Sequence, residues 1–276
     1  MREKTRRVQL SLVFLILGLV CVLIPFYLVV ITSLKDMQQV SRNFFALPVH
    51  PSLKNYITVL TEKNYFRALF NTVVITGCAL LGCIIFLPMC AYPISRKMGS
   101  SRLFKILYIV MVAGIFIPLP VKMMPLVSLM SRAKLMNPLG MVLLYLGSST
   151  CDGVYLFVGY LASIPKELEE AAYIDGARTP DVFFRVIYPL LKPMISTIVI
   201  KNGLWFWNDY LLPSLILTDR DFHTLTLFLD RFKTEYYIDY TLVFAAILLT
   251  MLPMLLLYIF MQKQFIGGLT GGAVKG

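Results

Sequence analysis

The sequence predicts an all-α membrane protein with six transmembrane helices. Of its 276 residues, 58% are hydrophobic and only 15% are charged, and the mean hydropathy is +0.75. Soluble domains carry about 25% charged residues, so this composition is typical of a polytopic membrane protein. The apolar stretches that are long enough to cross a bilayer as helices lie at 8–34, 68–95, 106–131, 139–162, 194–218 and 240–262.

The first apolar stretch, 8–34, contains no charged residue and follows a short basic tail at 1–7. It is too long for the core of a signal peptide and has no small-residue cleavage site, which indicates a retained first span. The second stretch, 68–95, is also uncharged. Between them, 35–67 is mixed and polar, and we expect an external segment with a short amphipathic helix near 53–60.

The third and fourth stretches are irregular. Three prolines surround Lys122 in the third stretch, and we expect its helix to end near Ile117 with Lys122 at the outer interface. The alternative is a proline-broken helix that borders a cavity. The fourth stretch carries Asp152 near its middle, and Asp152 is either a group on a transport pathway or part of a structural kink at 148–153.

In the predicted topology, basic residues lie close to the span ends on one side of the membrane, for example in the segment 96–105. The loop at 219–239 on the other side carries both acidic and basic residues. Positive charge is enriched on the cytoplasmic side of membrane proteins. We therefore expect both termini, the glycine-rich tail at 263–276 and the loop at 164–193 to be cytoplasmic. The net charge of +11 reflects these basic loops and does not indicate nucleic-acid binding.

Several function classes are disfavoured. The sequence has no G-x-x-x-x-G-K-[ST] nucleotide-binding loop. Both histidines, His50 and His223, fall in predicted external loops, which argues against an intramembrane enzyme. Inverted repeats with broken helices, which are typical of secondary carriers, are not evident. The cysteines are odd in number, lie in apolar stretches and lack the spacing of metal ligands: Cys21, Cys78, Cys83, Cys90 and Cys151.

The loop at 164–193 is the most informative polar passage. Its composition predicts a short helix over 166–175, with acidic residues in the first turns. Gly176 can take the left-handed conformation that ends such a helix. Thr179 is expected to cap a second short helix, which Pro189 and Pro193 would stop.

This loop resembles the EAA signature of binding-protein-dependent ABC transporter permeases. The positions that align with the signature are, in order, Glu170, Ala171, Ala172, Gly176, Val186, Tyr188 and Pro189. Val186 and Tyr188 depart from the usual Ile and Leu, but both substitutes are apolar. In that family the loop is cytoplasmic and docks into a cleft of the ATP-hydrolysing subunit. The resemblance therefore implies an ATPase-docking role for Glu170, Ala171, Ala172, Asp175, Gly176 and Ala177.

The fifth stretch carries a second constellation. Lys201, Trp205 and Asp209 are spaced i, i+4 and i+8 and would share one helix stripe, with Asn208 beside it. Ionisable residues within a span usually face the bundle interior or a wet pathway. Aromatic faces beside hydrogen-bonding groups also suit a sugar site. The alternative is an interfacial Trp/Tyr belt with a Lys–Asp contact that locks the helix.

The sequence W-N-D-Y-L-L-P at Trp207–Pro213 is similar to a passage of carbohydrate-type ABC permeases, and so is the tail at 268–276. The resemblance then covers essentially the whole chain. From the stripe and from the position of Asp152 in its span, we expect a substrate pathway that includes Lys201, Trp205, Asn208, Asp209 and Asp152.

The resemblance implies a single polytopic domain over 1–276 that serves as one permease subunit of a sugar or oligosaccharide importer in the bacterial cytoplasmic membrane. It would not be an enzyme, and it would hold no metal or cofactor itself. The expected partners are a second permease subunit, two ATPase subunits that bind ATP and Mg, an extracellular solute-binding protein and membrane lipid. The alternatives are a permease of the same fold for a polyamine or an amino acid, or a stand-alone carrier.

Overall fold

The computed structural model describes residues 2–232 and 238–273, with side chains at 11–232 and 238–259. Parts of the predicted external loop and of the predicted C-terminal tail, together with Met1, therefore lie outside the described residues. In chain order the helices are α1 (Arg2–Ser33), α2 (Met37–Arg42), α3 (Lys54–Thr61), α4 (Tyr65–Lys97), α5 (Arg102–Ile115), α6 (Leu119–Arg132), α7 (Pro138–Ser148), α8 (Thr150–Leu161), α9 (Glu167–Ile174), α10 (Thr179–Leu190), α11 (Lys192–Asn208), α12 (Leu211–Ile216), α13 (Leu225–Phe228) and α14 (Tyr240–Ala273).

Three helices are long and apolar enough to cross a membrane by themselves: Ser11–Ser33 in α1, Tyr65–Lys97 as α4, and Tyr240–Ile259 in α14. Three bent helix pairs pass the same test of length and composition, and they make up to six spans if each pair is one span. The pairs α5 and α6, α7 and α8, and α10 and α11 bend by 107°, 44° and 69° respectively. The predicted all-α fold with six spans is confirmed in this form.

The third and fourth stretches are irregular, as predicted, and each contains a break. The third stretch ends its first helix at Ile115, two residues before the predicted end, and α6 starts after Pro118, which has an extended backbone. Lys122 lies on α6 and lines a cavity of about 350 Å³ with Gly114 and Ser148. This placement favours the proline-broken helix beside a cavity, which was the less favoured interpretation.

The break in the fourth stretch falls at Ser149, within the segment 148–153 where a kink was one of two predictions. The hydroxyl of Ser149 donates a hydrogen bond to the carbonyl oxygen of Tyr145 at 2.8 Å, and such bonds often bend helices. At Gly153, a Cβ atom would lie 2.6 Å from a methyl of Leu87. The glycine therefore lets α8 approach α4 closely, as small residues do in membrane bundles.

The chain divides into two compact units. The first unit comprises Met1–Phe66 and Phe228–Pro253. Within it, the ammonium group of Lys35 is buried and donates to the carbonyl oxygens of Asn43 at 3.2 Å and Phe44 at 3.0 Å. Burial lowers the pKa of Lys35. The short helix predicted near 53–60 is confirmed as α3, whereas α2 was not predicted.

The second unit comprises Arg67–Leu227 and Met254–Gly276, and most of the buried apolar core lies in it. Its fully buried side chains come mainly from α4, α7, α8, α10, α11 and α12. They include Leu87, Met141, Phe157, Leu161, Ile187 and Ile198. Both candidate site regions from the sequence fall within this unit, so its packing decides their geometry.

Candidate functional site

The loop at 164–193 contains a short helix, α9, that ends in a Schellman turn. The backbone of Gly176 has φ +83°, which is the left-handed conformation predicted for it. Its N–H donates to the carbonyl of Tyr173 at 3.0 Å, and the N–H of Ala177 donates to the carbonyl of Ala172 at 3.0 Å. These two bonds satisfy carbonyls at the end of α9, and they require the positive φ at Gly176.

One of the two predictions for the second helix of the loop is wrong. Thr179 is not the cap, because α10 begins at Thr179 itself and the preceding Arg178 is extended without a side-chain capping bond. The helix ends at Leu190, between Pro189 and Pro193 as predicted, and Pro189 itself lies inside its last turn. A π-helical segment precedes this proline, where the N–H of Tyr188 donates to the carbonyl of Phe183 five residues earlier. The altered register lets the helix contain a residue with no N–H to donate.

The predicted docking residues form an exposed surface on α9 and its turn. Glu170, Ala171, Asp175 and Gly176 are exposed, while Ala172 and Ala177 are half-buried and pack against the core. Together these six residues are called the docking surface below. The three alanines and Gly176 leave room for the backbone of a partner to approach closely, and Glu170 and Asp175 offer charge.

A buried ion pair lies behind the docking surface, and sequence reasoning missed it. The guanidinium of Arg96 contacts Oε1 of Glu169 through Nε and Nη2, each at 2.6 Å. The hydroxyl of Tyr92 donates to Oε2 of the same carboxylate at 2.7 Å. The Arg96 and Glu169 side chains are only 13% and 8% exposed. In the sequence, Glu169 is one of several acidic residues in a short helix, and no local signal marks it as buried.

In the fifth stretch, the ammonium group of Lys201 forms an ion pair with the carboxylate of Asp152 on α8. It also donates to the side-chain oxygen of Asn202 at 3.1 Å. The Lys201 and Asp152 side chains remain 43% and 30% exposed in this chain. The structure therefore brings together two of the predicted pathway residues that lie 49 positions apart.

The predicted single stripe of Lys201, Trp205 and Asp209 is only partly correct. Helix α11 ends at Asn208, and Asp209 follows it in an extended conformation. The carboxylate of Asp209 accepts hydrogen bonds from the hydroxyl of Tyr145 at 3.1 Å and from the N–H of Leu211 at 3.0 Å. The alternative Lys–Asp contact within α11 is also wrong, because the carboxylate paired with Lys201 belongs to α8.

Tyr145 joins two of the predicted residues, Trp205 and Asp209. Its buried ring contacts Trp205 edge-on, with the ring centroids 5.9 Å apart. Asn208 is exposed, and its amide donates to the carbonyl of Leu204 on the preceding turn at 2.8 Å. Tyr145 lies in an apolar stretch of α7, and no local pattern connects it with Asp209.

Comparisons with known proteins agree with this architecture. Residues 84–266 match the family model of the "Binding-protein-dependent transport system inner membrane component". The multiple sugar-binding transport system permease protein MsmG of Streptococcus mutans is 38% identical over 267 residues, covering 95% of each chain. The melibiose/raffinose/stachyose import permease protein MelC of Bacillus subtilis is 36% identical, covering 92% of this chain and 91% of the relative.

A solved bacterial ABC transporter involved in import of the acidic polysaccharide alginate contains a chain with the same fold. The TM-score is 0.85 at 23% identity, covering 96% of this chain and 98% of that one. Fold and comparisons together define a helical membrane subunit of a transport system. The chain belongs to the binding-protein-dependent transport system inner membrane component family. Membership makes it a transport component and not an enzyme, and it places the chain in the membrane as a multi-pass protein.

Proposed function

We propose that this chain is one permease subunit of an ATP-driven importer for a sugar or an oligosaccharide. The observation that carries the proposal is the match along 95% of both chains to a permease named for multiple sugars. The Bacillus subtilis relative is named for import of melibiose, raffinose and stachyose, which are also sugars. The domain is the whole chain, 1–276, and its six spans supply half of the pathway.

A second permease subunit supplies the other half, and an external solute-binding protein delivers the sugar. Two ATPase subunits bind ATP and Mg²⁺ and engage the docking surface on α9. This chain can receive their movement, because the turn at Gly176 defines the end of α9 and the ion pair of Glu169 with Arg96 holds α9 against α4. Transport is by alternating access, in which ATPase closure and release rock the helices about the solute.

The pathway includes Asp152, Lys201, Trp205, Asn208 and Asp209. Charged side chains at membrane depth lie where they meet water or one another, and the Lys201–Asp152 pair is partly exposed. The ring of Trp205 offers an apolar face, and the amide and carboxylate groups offer hydrogen bonds. This combination matches the alternating polar and apolar surfaces of a sugar ring.

The function is tested by reconstituting the chain with its partner subunits and binding protein in proteoliposomes. ATP-dependent accumulation of labelled disaccharides or trisaccharides is the expected result. Uptake of a polyamine or an amino acid without uptake of any sugar would overturn the solute class, while leaving the transporter class in place.

The proposed orientation is testable by cysteine labelling. The segment 163–192 and both termini are expected on the cytoplasmic side, because basic residues flank the corresponding span ends. The exposed position Glu170 is the suitable probe site, since Glu169 is buried. In a background without the native cysteines, a membrane-impermeant thiol reagent should modify Lys54→Cys in intact cells and miss Glu170→Cys. Labelling of Glu170→Cys from outside would reverse the orientation and remove the docking proposal.

The aromatic part of the pathway is tested at Trp205. Trp205→Ala is expected to lower sugar uptake, while the complex still assembles and basal ATP hydrolysis persists. An aromatic contact contributes about 0.5–1.5 kcal/mol, which corresponds to about a twofold to tenfold change. Trp205→Phe is the matched control, because a smaller ring keeps a face for the sugar and an edge for Tyr145. Equal uptake by the alanine variant and the wild type would assign Trp205 to packing alone.

A further inference from the structure

We propose that Arg96 and Glu169 are positioning residues that make α9 move as one body with the ends of α4 and α8. In this role the pair transmits ATPase movement into the membrane helices without touching the ATPase or the solute. The inference rests on the proposed function, in which the docking surface on α9 receives that movement. It adds the contact through which that movement passes from α9 to the membrane helices.

The geometry of Glu169 carries the first step. Both oxygens of its carboxylate are engaged, Oε1 by two nitrogens of Arg96 and Oε2 by the hydroxyl of Tyr92. Arg96 and Tyr92 both lie on the last turns of α4. A carboxylate held by three donors at 2.6–2.7 Å cannot slide along α4 without breaking charge-assisted bonds, which are the strong class of hydrogen bonds.

Arg96 also reaches a third element. Its Nη1 donates to the carbonyl oxygen of Leu161 at 3.0 Å, and its Nη2 contacts the carbonyl oxygen of Ile164 at 3.5 Å. Leu161 is the last residue of α8, where helix carbonyls have no partners within the helix. One guanidinium therefore joins the end of α4, the end of α8 and the body of α9. Displacing α9 would pull on both membrane helices.

Burial distinguishes this pair from the other ion pair in the loop. Arg185 and Asp181 are 3.5 Å apart on α10, with side chains 82% and 40% exposed. Exposed pairs of that kind contribute little, since water and salt screen them. At Arg96 and Glu169, loss of one partner leaves a charge that water reaches poorly, and such losses are far more disruptive. The buried pair is therefore the one able to hold α9 against α4 and α8 when the ATPase subunits move it.

The positions Glu169 and Glu170 provide a matched comparison, because they are adjacent residues of the same type on α9 that differ in burial. Glu169 faces the protein interior, and Glu170 is exposed on the docking surface. Glu169→Gln should act on transmission, whereas Glu170→Gln should act on docking. Arg67→Gln is a further control, since Arg67 lies on α4 in an exposed pair with Asp221.

The experiment uses the complete transporter in proteoliposomes and measures three quantities: ATPase retained on purification, ATP hydrolysed, and sugar taken up. Glu169→Gln is expected to retain the ATPase and hydrolyse ATP within about twofold of the wild type. Its uptake per ATP hydrolysed should fall at least tenfold. Glu170→Gln should lower ATPase retention and leave uptake per ATP within about twofold of the wild type. Arg67→Gln should leave both ATPase retention and uptake per ATP within about twofold of the wild type.

Conservative replacement separates positioning from simple loss of structure. Arg96→Lys keeps a cation against Glu169 and should recover most of the uptake per ATP that Arg96→Gln loses. An assembled Glu169→Gln complex with the wild-type ratio would overturn the proposal. If Glu169→Gln fails to assemble, Arg96→Gln decides, because it removes the cation of the ion pair and leaves Glu169 in place. An unchanged ratio in an assembled Arg96→Gln complex would then overturn the proposal.

Failure of the underlying function would look different. A wild-type complex that takes up no sugar, or that does not retain the ATPase, would contradict the proposed function itself. A wild-type complex that transports sugar beside variants with unchanged coupling would contradict only the role of Arg96 and Glu169.

Discussion

Gly176→Val should abolish sugar uptake and weaken retention of the ATPase subunits, while the protein still inserts in the membrane. Gly176 has φ +83°, and a residue with a Cβ pays about 1–2 kcal/mol for a left-handed backbone. A β-branched residue such as valine is especially unsuited to that region. Relief of the strain would break the two hydrogen bonds that end α9, and so move the docking surface. Uptake and ATPase co-purification, measured side by side, test this result.

The structure also settles how the substitution acts within this chain. A Cβ at Gly176 would meet no atom within 4 Å apart from its immediate neighbours, so backbone strain and not crowding is the cause. Gly176→Asn is the matched control, because asparagine tolerates the left-handed region and should retain more uptake. Glu170→Ala should impair uptake less than valine at Gly176, since an exposed ion pair contributes only about 0–1 kcal/mol. Normal transport in Gly176→Val would show that this loop does not transmit the movement.

Lys201→Met is expected to have the second-largest effect, with strongly reduced uptake and reduced thermal stability of the complex. The substitution leaves Asp152 without its cation within the fourth span. A carboxylate at the centre of a membrane helix costs about 2.5–3.5 kcal/mol on insertion, and partial exposure to water lowers that cost. Uptake and the melting temperature of the purified complex should therefore fall together.

The double variant Lys201→Met with Asp152→Asn separates stability from transport. Removing both charges eliminates the unpaired carboxylate, and replacing a whole ion pair is often neutral for stability. We expect the melting temperature to recover while uptake stays low, because the polar groups proposed for the pathway are still missing. Full recovery of uptake in the double variant would assign the pair to structure alone.

The sequence predicted the features that depend on local chemistry. The long uncharged stretches predicted α1, α4 and the apolar part of α14, because a bilayer requires about 20 apolar residues in a helix. Gly176 was identified as the left-handed residue from its position after a short acidic helix. The EAA signature and the W-N-D-Y passage predicted a family that the comparisons confirm. These signals are readable because each one is set by neighbours along the chain.

Breaks in helices were harder to place. Prolines at 118 and 189 look alike in sequence, yet one precedes a 107° bend and the other lies inside α10. The difference arises from packing and from the π-helical register at Val182–Ile187, in which Tyr188 bonds five residues back. A proline rule applied to the sequence alone has no access to that register, so it bounded the end of α10 by Pro189 and Pro193 but could not place Pro189 inside the helix.

By itself, the sequence determined the class of protein, its apolar spans and the corner at Gly176, since composition, span length and backbone chirality act locally. Only the tertiary structure decided which charges meet. Lys201 pairs with Asp152 instead of Asp209, and Glu169 instead of Glu170 is the buried glutamate of α9. Those choices depend on how close α8 lies to α11 and how α9 lies against the end of α4. Coulomb attraction and desolvation follow such distances through space, not separation along the chain.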